Sequence, residues 1–241
     1  MKVAIIQPNY IPWKGYFDII NMVDIFVLYD DVQYTLRDWR NRNRIKAKNG
    51  LLWMTIPTDG TQEKIIKDVK VVWDEKWNIK HWKSIVINYS KAKYFQEYKD
   101  YFEELYFNLK EYFLWEINFK FIEAIAKILG IKTKIVFSSD LNYDRKLTKT
   151  DRLIAILKEL NATSYLSGPS AKNYINEELF KKSNIKLEWM DYFGYPEYPQ
   201  LYPPFIHEVS IIDLILNTGP NAPDYMKSFK IGERNDLQNP I

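Results

Sequence analysis

The first thirty residues restrict the fold more than any other part of the chain. Val3 to Ile6 is a short apolar run, and the two prolines of Gln7-Pro8-Asn9-Tyr10-Ile11-Pro12 force an extended turn after it. From Trp13 to Val23 the residues Tyr16, Phe17, Ile20 and Val23 fall on one face of a helix. Asp24 to Tyr29 is again apolar, with the β-branched and aromatic residues of a buried strand. Strand, loop, helix and strand in that order open a parallel unit, so the chain is expected to be α/β, with a mainly parallel Rossmann-like sheet.

The rest of the chain elaborates this start. Asn43 to Lys48 and Leu51 to Ile56 flank Asn49-Gly50, a strong hairpin signal, and Val69 to Trp73 reads as a further strand. Helical periodicity covers roughly Glu75 to Tyr89, Phe95 to Phe107 and Lys110 to Leu129, with Gly130 as a C-cap. Strands at Lys132 to Phe137 and Thr163 to Leu166, and helices at Thr148 to Leu160 and after Ser210, continue the alternation. No repeat or low-complexity linker divides the chain, so residues 1–241 are expected to form a single α/β domain with a β-hairpin addition and a helical insertion at about 75–130.

Chemistry concentrates where the second strand ends. Asp30-Asp31 sits at its carboxyl end, where α/β sheets place ligands, and Arg37, Arg40, Arg42, Arg44, Lys46 and Lys48 follow with Asp38 as the one opposing charge. Carboxylates beside guanidinium forks suit an anionic substrate, either alone or with Mg²⁺ held by Asp30 and Asp31. The same residues would also serve as a solvated turn and the wet face of a strand, because Arg40, Arg42, Arg44 and Lys46 share one parity. The loop Gln7 to Gly15 leads from a strand end to a helix start, where backbone N–H groups can hold an anion; Gln7 can donate and accept, Tyr10 and Trp13 can wall a ring, and Lys14 can meet a phosphate. Trp13 and Tyr16 read equally well as core.

His81 is the default general base, being one of two histidines, though a lone histidine on a helix is more often structural. His207 follows Pro203-Pro204 in a loop. Ser167-Gly168-Pro169-Ser170 lacks the spacing of a P-loop and reads as a strand-to-helix turn with Ser170 as N-cap. Asp191 to Gln200, aromatic and proline-rich, fits a stiff binding wall.

Composition removes several alternatives. With 34 Lys and Arg against 31 Asp and Glu, a formal charge of +3 is too balanced for a dedicated nucleic-acid binder. The absence of cysteine excludes disulfides, thiolate metal sites and a cysteine nucleophile, and two histidines exclude a His-rich zinc cluster. Only four apolar residues follow Met1-Lys2 before Gln7-Pro8, so no secretion signal is read, and no apolar run approaches the roughly 20 residues of a membrane span. A soluble, cytoplasmic protein is expected. Eight Trp and 18 Tyr fit flat-walled sugar or nucleotide pockets.

QPNYIPWKGYFDII, DIFVLYDDVQY, DWRNRNRIK, the G-x-x-W-x-T-x-P stretch from Gly50 to Pro57, YLSGPSAKNYI, PEYPQ and SIIDLILNTG, in this order, resemble the WbqC-like protein family across almost the whole chain. That resemblance implies a role in the biosynthesis of O-antigen and other surface polysaccharides, with transfer of an aminoacyl group such as glycine onto a nucleotide-linked sugar. It also implies that Gln7, Tyr10, Trp13, Asp30, Asp31, Gln33, Trp39, Asn41, Arg42, Asn43 and Lys46 belong to one site, to which the charge pattern adds Arg40 and Arg44. The family offers no settled catalytic residues; from the residues themselves, Asp30, Asp31 and His81 are the catalytic candidates. The chain also resembles nucleotidyltransferases in its opening, but their paired histidines are absent from the Gln7 to Gly15 loop. A glycosyltransferase remains an alternative, although its usual D-x-D aims both carboxylates one way whereas adjacent Asp30 and Asp31 diverge. So does a non-catalytic carbohydrate- or nucleic-acid-binding module.

Overall fold

A computed structural model describes residues 1–73 and 76–229. Five parallel strands form the main sheet: β1 (Lys2–Ile6), β2 (Ile25–Leu28), β5 (Lys134–Phe137), β6 (Ser164–Ser167) and β7 (Lys186–Trp189), in spatial order β5-β2-β1-β6-β7. The order reverses at β1, whose neighbours on either side are reached by crossovers in opposite directions. This is the doubly wound arrangement that the opening residues predict. Val3, Ala4 and Ile5 are all buried, as expected of a central parallel strand covered on both faces.

Helices cover both faces. Ala4, Phe26 and Leu28 pack into a large core with α1 (Lys14–Asn21), α2 (Trp77–Tyr89), α3 (Phe95–Phe107), α4 (Leu114–Ile128) and α7 (Ile211–Thr218). Val3, Ile5 and Val27 face the other way, against α5 (Lys149–Glu159) and α6 (Glu177–Lys182). The helical insertion α2–α4 thus extends one of the two cores. A separate antiparallel hairpin, β3 (Arg42–Ala47) and β4 (Gly50–Thr55), lies on the larger core through Asn43, Ile45 and Met54.

Several boundaries differ from the sequence pattern. In the hairpin, Ala47 pairs with Gly50, so Lys48 and Asn49 form the turn and Gly50 joins the strand at a φ of +119°. No strand forms over Val69 to Trp73: Lys70 and Val71 make isolated bridges to Phe113 and Thr58 after a single 3-10 turn at Ile66–Asp68. The helix expected from Lys110 starts at Leu114, because Phe113 is extended and its N–H donates to the Glu116 carboxylate at 3.1 Å. Gly168, not Ser170, precedes the 3-10 turn Pro169–Asn173. The expected start of α2 at Glu75 lies outside the described residues. Ser210 caps α7 as expected, its Oγ accepting from the Ile212 N–H at 3.3 Å.

Candidate functional site

The loop leaving β1 is held in a conformation its sequence disfavours. Ile11, fully buried and β-branched, has a φ of +35°, in the left-handed region that such residues avoid. Strain of this kind, typically about 1–3 kcal/mol, persists only where surrounding contacts over-determine it, and it clusters at functional sites. Here the contacts are specific. The Asn43 side-chain amide donates to the Tyr10 and Ile11 carbonyls at 3.0 and 2.9 Å, the Tyr10 N–H donates to the Trp39 carbonyl at 2.9 Å, and the Ile211 N–H reaches Pro12 O at 3.0 Å. Asn118 of α4 donates to Pro8 O at 3.1 Å and Arg40 O at 2.8 Å. The hairpin, α4 and the start of α7 therefore converge on one loop at the carboxyl edge of the sheet.

A cleft of about 200 Å³ opens there, lined by Asn9, Trp13, Trp39, Asn43, Arg44 and Glu208, with Pro12 at its base. Trp13 precedes α1 and packs over Gly15, where any side chain would collide with the indole. Its outer side meets Tyr192 and Tyr195 at ring separations of 5.0 and 5.7 Å, so the Asp191 to Gln200 segment forms a wall. Tyr192 Oη lies 3.7 Å from where a Cβ on Gly168 would stand, just beyond β6. The cleft therefore belongs to the switch point between β1 and β6, where ligands bind in open α/β sheets.

On the hairpin side two tryptophans and two arginines interleave. Trp39 and Trp53 stand 5.6 Å apart, the Arg42 guanidinium lies 4.2 Å from the Trp53 ring centre, and that of Arg44 lies 5.4 and 5.3 Å from Trp39 and Trp53. The Nε atoms of Arg40, Arg42 and Arg44 are buried without a partner, and neither Arg42 nor Arg44 forms an ion pair among the described residues. Arg40 differs from them, since it pairs with Asp38 and donates to Asn9 Oδ1 at 3.1 Å. Guanidinium groups stacked on indoles and lacking a protein anion suit an external one.

Lys14 and Lys46, expected to face the anion, are instead buried, as is Asp213, which the sequence did not announce. Lys14 Nζ donates to Pro196 O at 3.3 Å and sits 4.8 and 5.1 Å from the Tyr195 and Tyr198 ring centres, and burial pulls its pKa down to about 8. Asp213 accepts from Tyr89 and Tyr198 at 2.7 Å each and from Gln200 at 3.0 Å; burial holds its carboxyl above the ordinary range. Lys46, fully buried, spends its ammonium on Pro204 O.

The other expected site residues are placed elsewhere. Asp30 and Asp31 are buried at the end of β2, but facing the loop after β5. Asp30 accepts from Ser138 Oγ, Ser139 N–H and Ser139 Oγ at 2.9, 3.0 and 2.7 Å. Asp31 accepts from Ser138 Oγ at 2.6 Å and Tyr143 Oη at 2.5 Å, with Arg152 and Arg145 at 3.3 and 3.4 Å. The arginine partners of Asp31 are thus Arg145 and Arg152 rather than the hairpin cluster, and Asp30 is held by serines alone. Every carboxylate oxygen has a protein donor, and two guanidinium groups would repel a cation, so this pair does not suit Mg²⁺. No group of three or more His, Asp or Glu able to hold a metal occurs among the described residues.

Tyr10 and His81 are also not brought to the cleft. Tyr10 Oη lies 2.9 Å from His81 Nδ1 and 2.8 Å from Tyr106 Oη inside the helical core, and burial lowers the His81 pKa to about 4, which keeps the ring neutral. Gln33 is exposed and donates to Gln62 O at 2.7 Å, Asn41 donates to Ile56 O at 3.0 Å, and the Gln7 carbonyl accepts from Tyr16 Oη at 3.0 Å. Of the expected residues, Trp13, Trp39, Asn43 and Arg44 line the cleft, with Arg42 and Arg40 beside it. Asn9, Asn118 and Glu208 are additions, and the proximity of Asn9 and Glu208 to aromatic motif residues is the signal that would have found them.

The chain is 43% identical over 228 residues to uncharacterized protein Rv1507c of Mycobacterium tuberculosis (strain ATCC 25618 / H37Rv), a match that covers 94% of this chain and 97% of that protein. No solved structure matches it. A family model matches residues 7–225, from the strained loop through the end of the aromatic wall and α7. The chain belongs to the WbqC-like protein family.

Proposed function

We propose that the protein is a group-transfer enzyme of surface polysaccharide biosynthesis, acting on a nucleotide-linked sugar bound in the cleft between the Gln7 to Trp13 loop and the hairpin. One observation carries this reading: Arg42 and Arg44 are stacked on Trp53 and Trp39 at a topological switch point, with buried Nε atoms that have no partner in the chain. A diphosphate satisfies the guanidinium groups and a flat ring satisfies the indoles. Family membership supports the pathway, and the implied transferred group is aminoacyl, such as glycine. Glu208 is the carboxylate in the cleft lining, and it is the group placed to take a proton from a sugar hydroxyl or an incoming amine. Charge neutralisation rests on the arginines and needs no metal at Asp30 and Asp31.

Titration calorimetry with a nucleoside diphosphate sugar, the free sugar and the nucleoside tests this. Binding of the first, with much weaker binding of the other two, is expected. Equal affinity for free sugar would favour a carbohydrate-binding module, and no heat with any of them would remove the reading.

A further inference from the structure

The far end of the hairpin is built against the usual pattern of a strand pair resting on a core. Residues directly opposite each other share a face. The register Arg44 to Trp53, Ile45 to Leu52 and Lys46 to Leu51 therefore puts Trp53 and Leu51 on the outer face with Arg42 and Arg44, and Leu52 on the inner face with Ile45 and Met54. Ile45 and Met54 are buried, yet Leu51, Leu52 and Trp53 are 36%, 38% and 43% exposed. The end of the hairpin thus shows apolar side chains from both faces, although Lys46, opposite Leu51, is buried against Tyr89 and Pro204. β4 is also a sheet edge, paired only with β3. Such edges are normally guarded by charge or proline, and here the sequence is Leu-Leu-Trp.

The charge carried by the hairpin itself is one-sided, although Glu208 lines the cleft beside Arg44. Between residues 36 and 55 the only acidic residue is Asp38, which is paired with Arg40, and Lys46 is buried on a carbonyl. Arg42 and Arg44 of β3 and Lys48 of the turn remain without an ion pair among the described residues. A second copy joined edge to edge through β4 would leave Arg42 and Arg44, on the far strand β3, without an anionic partner. A nucleic acid would meet the arginines and indoles but leave two leucines without a partner. An anionic bilayer satisfies all three: indoles settle at headgroup level, leucines enter the acyl boundary and basic groups meet the lipid phosphates.

We propose that the β3–β4 hairpin docks this protein on the anionic surface of a lipid bilayer, with Leu51, Leu52 and Trp53 inserted at the headgroup level. The attachment is peripheral, since no helix among the described residues is long and apolar enough to cross a membrane. It brings the cleft close to the lipid surface, because Arg44 belongs both to the face of the hairpin that carries Trp53 and to the cleft lining. It does not depend on the nucleotide-sugar reading, because Leu51 and Leu52 do not line the cleft.

Sedimentation of the full chain with phosphatidylcholine vesicles, with and without phosphatidylglycerol, tests this alongside the double variant L51S/L52S. The wild-type chain should pellet with phosphatidylglycerol vesicles, release as salt rises, and bind neutral vesicles about tenfold more weakly. L51S/L52S should bind the anionic vesicles about a hundredfold more weakly, the loss expected for removing two apolar insertions. Because neither leucine lines the cleft, the variant should keep its nucleotide-sugar affinity, which also shows that it folds, so a failed docking result and a failed cleft result remain separate. Absence of vesicle binding, or vesicle binding that L51S/L52S leaves intact, would overturn the proposal. So would a solution dimer that L51S/L52S dissociates, because a second copy would then be the occupant.

Discussion

Asn43 on β3 holds the loop after β1 in place by donating from one side-chain amide to two consecutive carbonyls, those of Tyr10 and Ile11, at 3.0 and 2.9 Å. A residue of the hairpin thereby fixes a buried β-branched residue whose backbone is left-handed, the one such residue among the described residues. Asn43→Ala should destabilise the fold by about 1–3 kcal/mol, since two buried carbonyls lose their donor. Urea unfolding would measure it. Asn43→Asp should do no better, because a carboxylate cannot donate to a carbonyl. A loss below about 0.5 kcal/mol would show that the loop does not need the clamp.

Arg42 tests the anion site. Arg42→Ala should weaken nucleotide-sugar binding by about 1.5–3 kcal/mol, the range for hydrogen bonds to charged partners. Arg42→Lys should recover only part of this, because an ammonium reproduces neither the planar fork nor the stacking on Trp53. Calorimetric constants unchanged in both variants would make the arginines a solvated face after all.

The acidic pair gives the opposite expectation. Asp31 has a buried carboxylate between Tyr143, Arg145 and Arg152, so Asp31→Asn should lower stability by about 2–3 kcal/mol. EDTA should change neither the unfolding temperature nor nucleotide-sugar affinity. A chelator-sensitive affinity that Mg²⁺ restores would return the metal to this pair.

His81 supplies a pH test with a defined sign. Burial lowers its pKa from about 6.5 when unfolded to about 4 when folded, so between those values the unfolded chain binds the extra proton. Its contribution to stability is full above pH 6.5 and is lost as pH falls towards 4, on the order of 3 kcal/mol in total. His81→Gln should flatten the stability profile in that window relative to the parent while leaving nucleotide-sugar affinity intact. A parallel profile in the variant, or a lost affinity, would contradict a neutral core histidine.

What the sequence made legible follows from the range of the interactions involved. The β1–α1–β2 opening and the bounds of α3 were readable because apolar periodicity is local, and the end of β2 correctly marked a carboxyl edge. The partners of Asp31 were not readable, because Tyr143, Arg145 and Arg152 lie more than a hundred residues away in sequence. The adjacent hairpin arginines offered a nearer and misleading match. Val69 to Trp73 has strand composition, but only isolated bridges reach it, so tertiary pairing overrides propensity. Tyr10 and His81 looked functional as rare or aromatic motif residues; which way each side chain points is set by helices α2 to α4, and nothing local encodes that. Trp39 and Asn43 were identifiable through the family resemblance, and Arg44 through the alternation of basic residues along β3.

A crystal structure of the protein with a nucleoside diphosphate sugar tests the central claim most directly. The diphosphate should lie within hydrogen-bonding reach of Arg42 and Arg44, about 2.7–2.9 Å from the guanidinium nitrogens, with a ring against Trp39 or Trp13. A diphosphate seated instead against Arg145 and Arg152, in the cleft that Asp31 lines, would contradict the account and move the site to the carboxyl ends of β2 and β5.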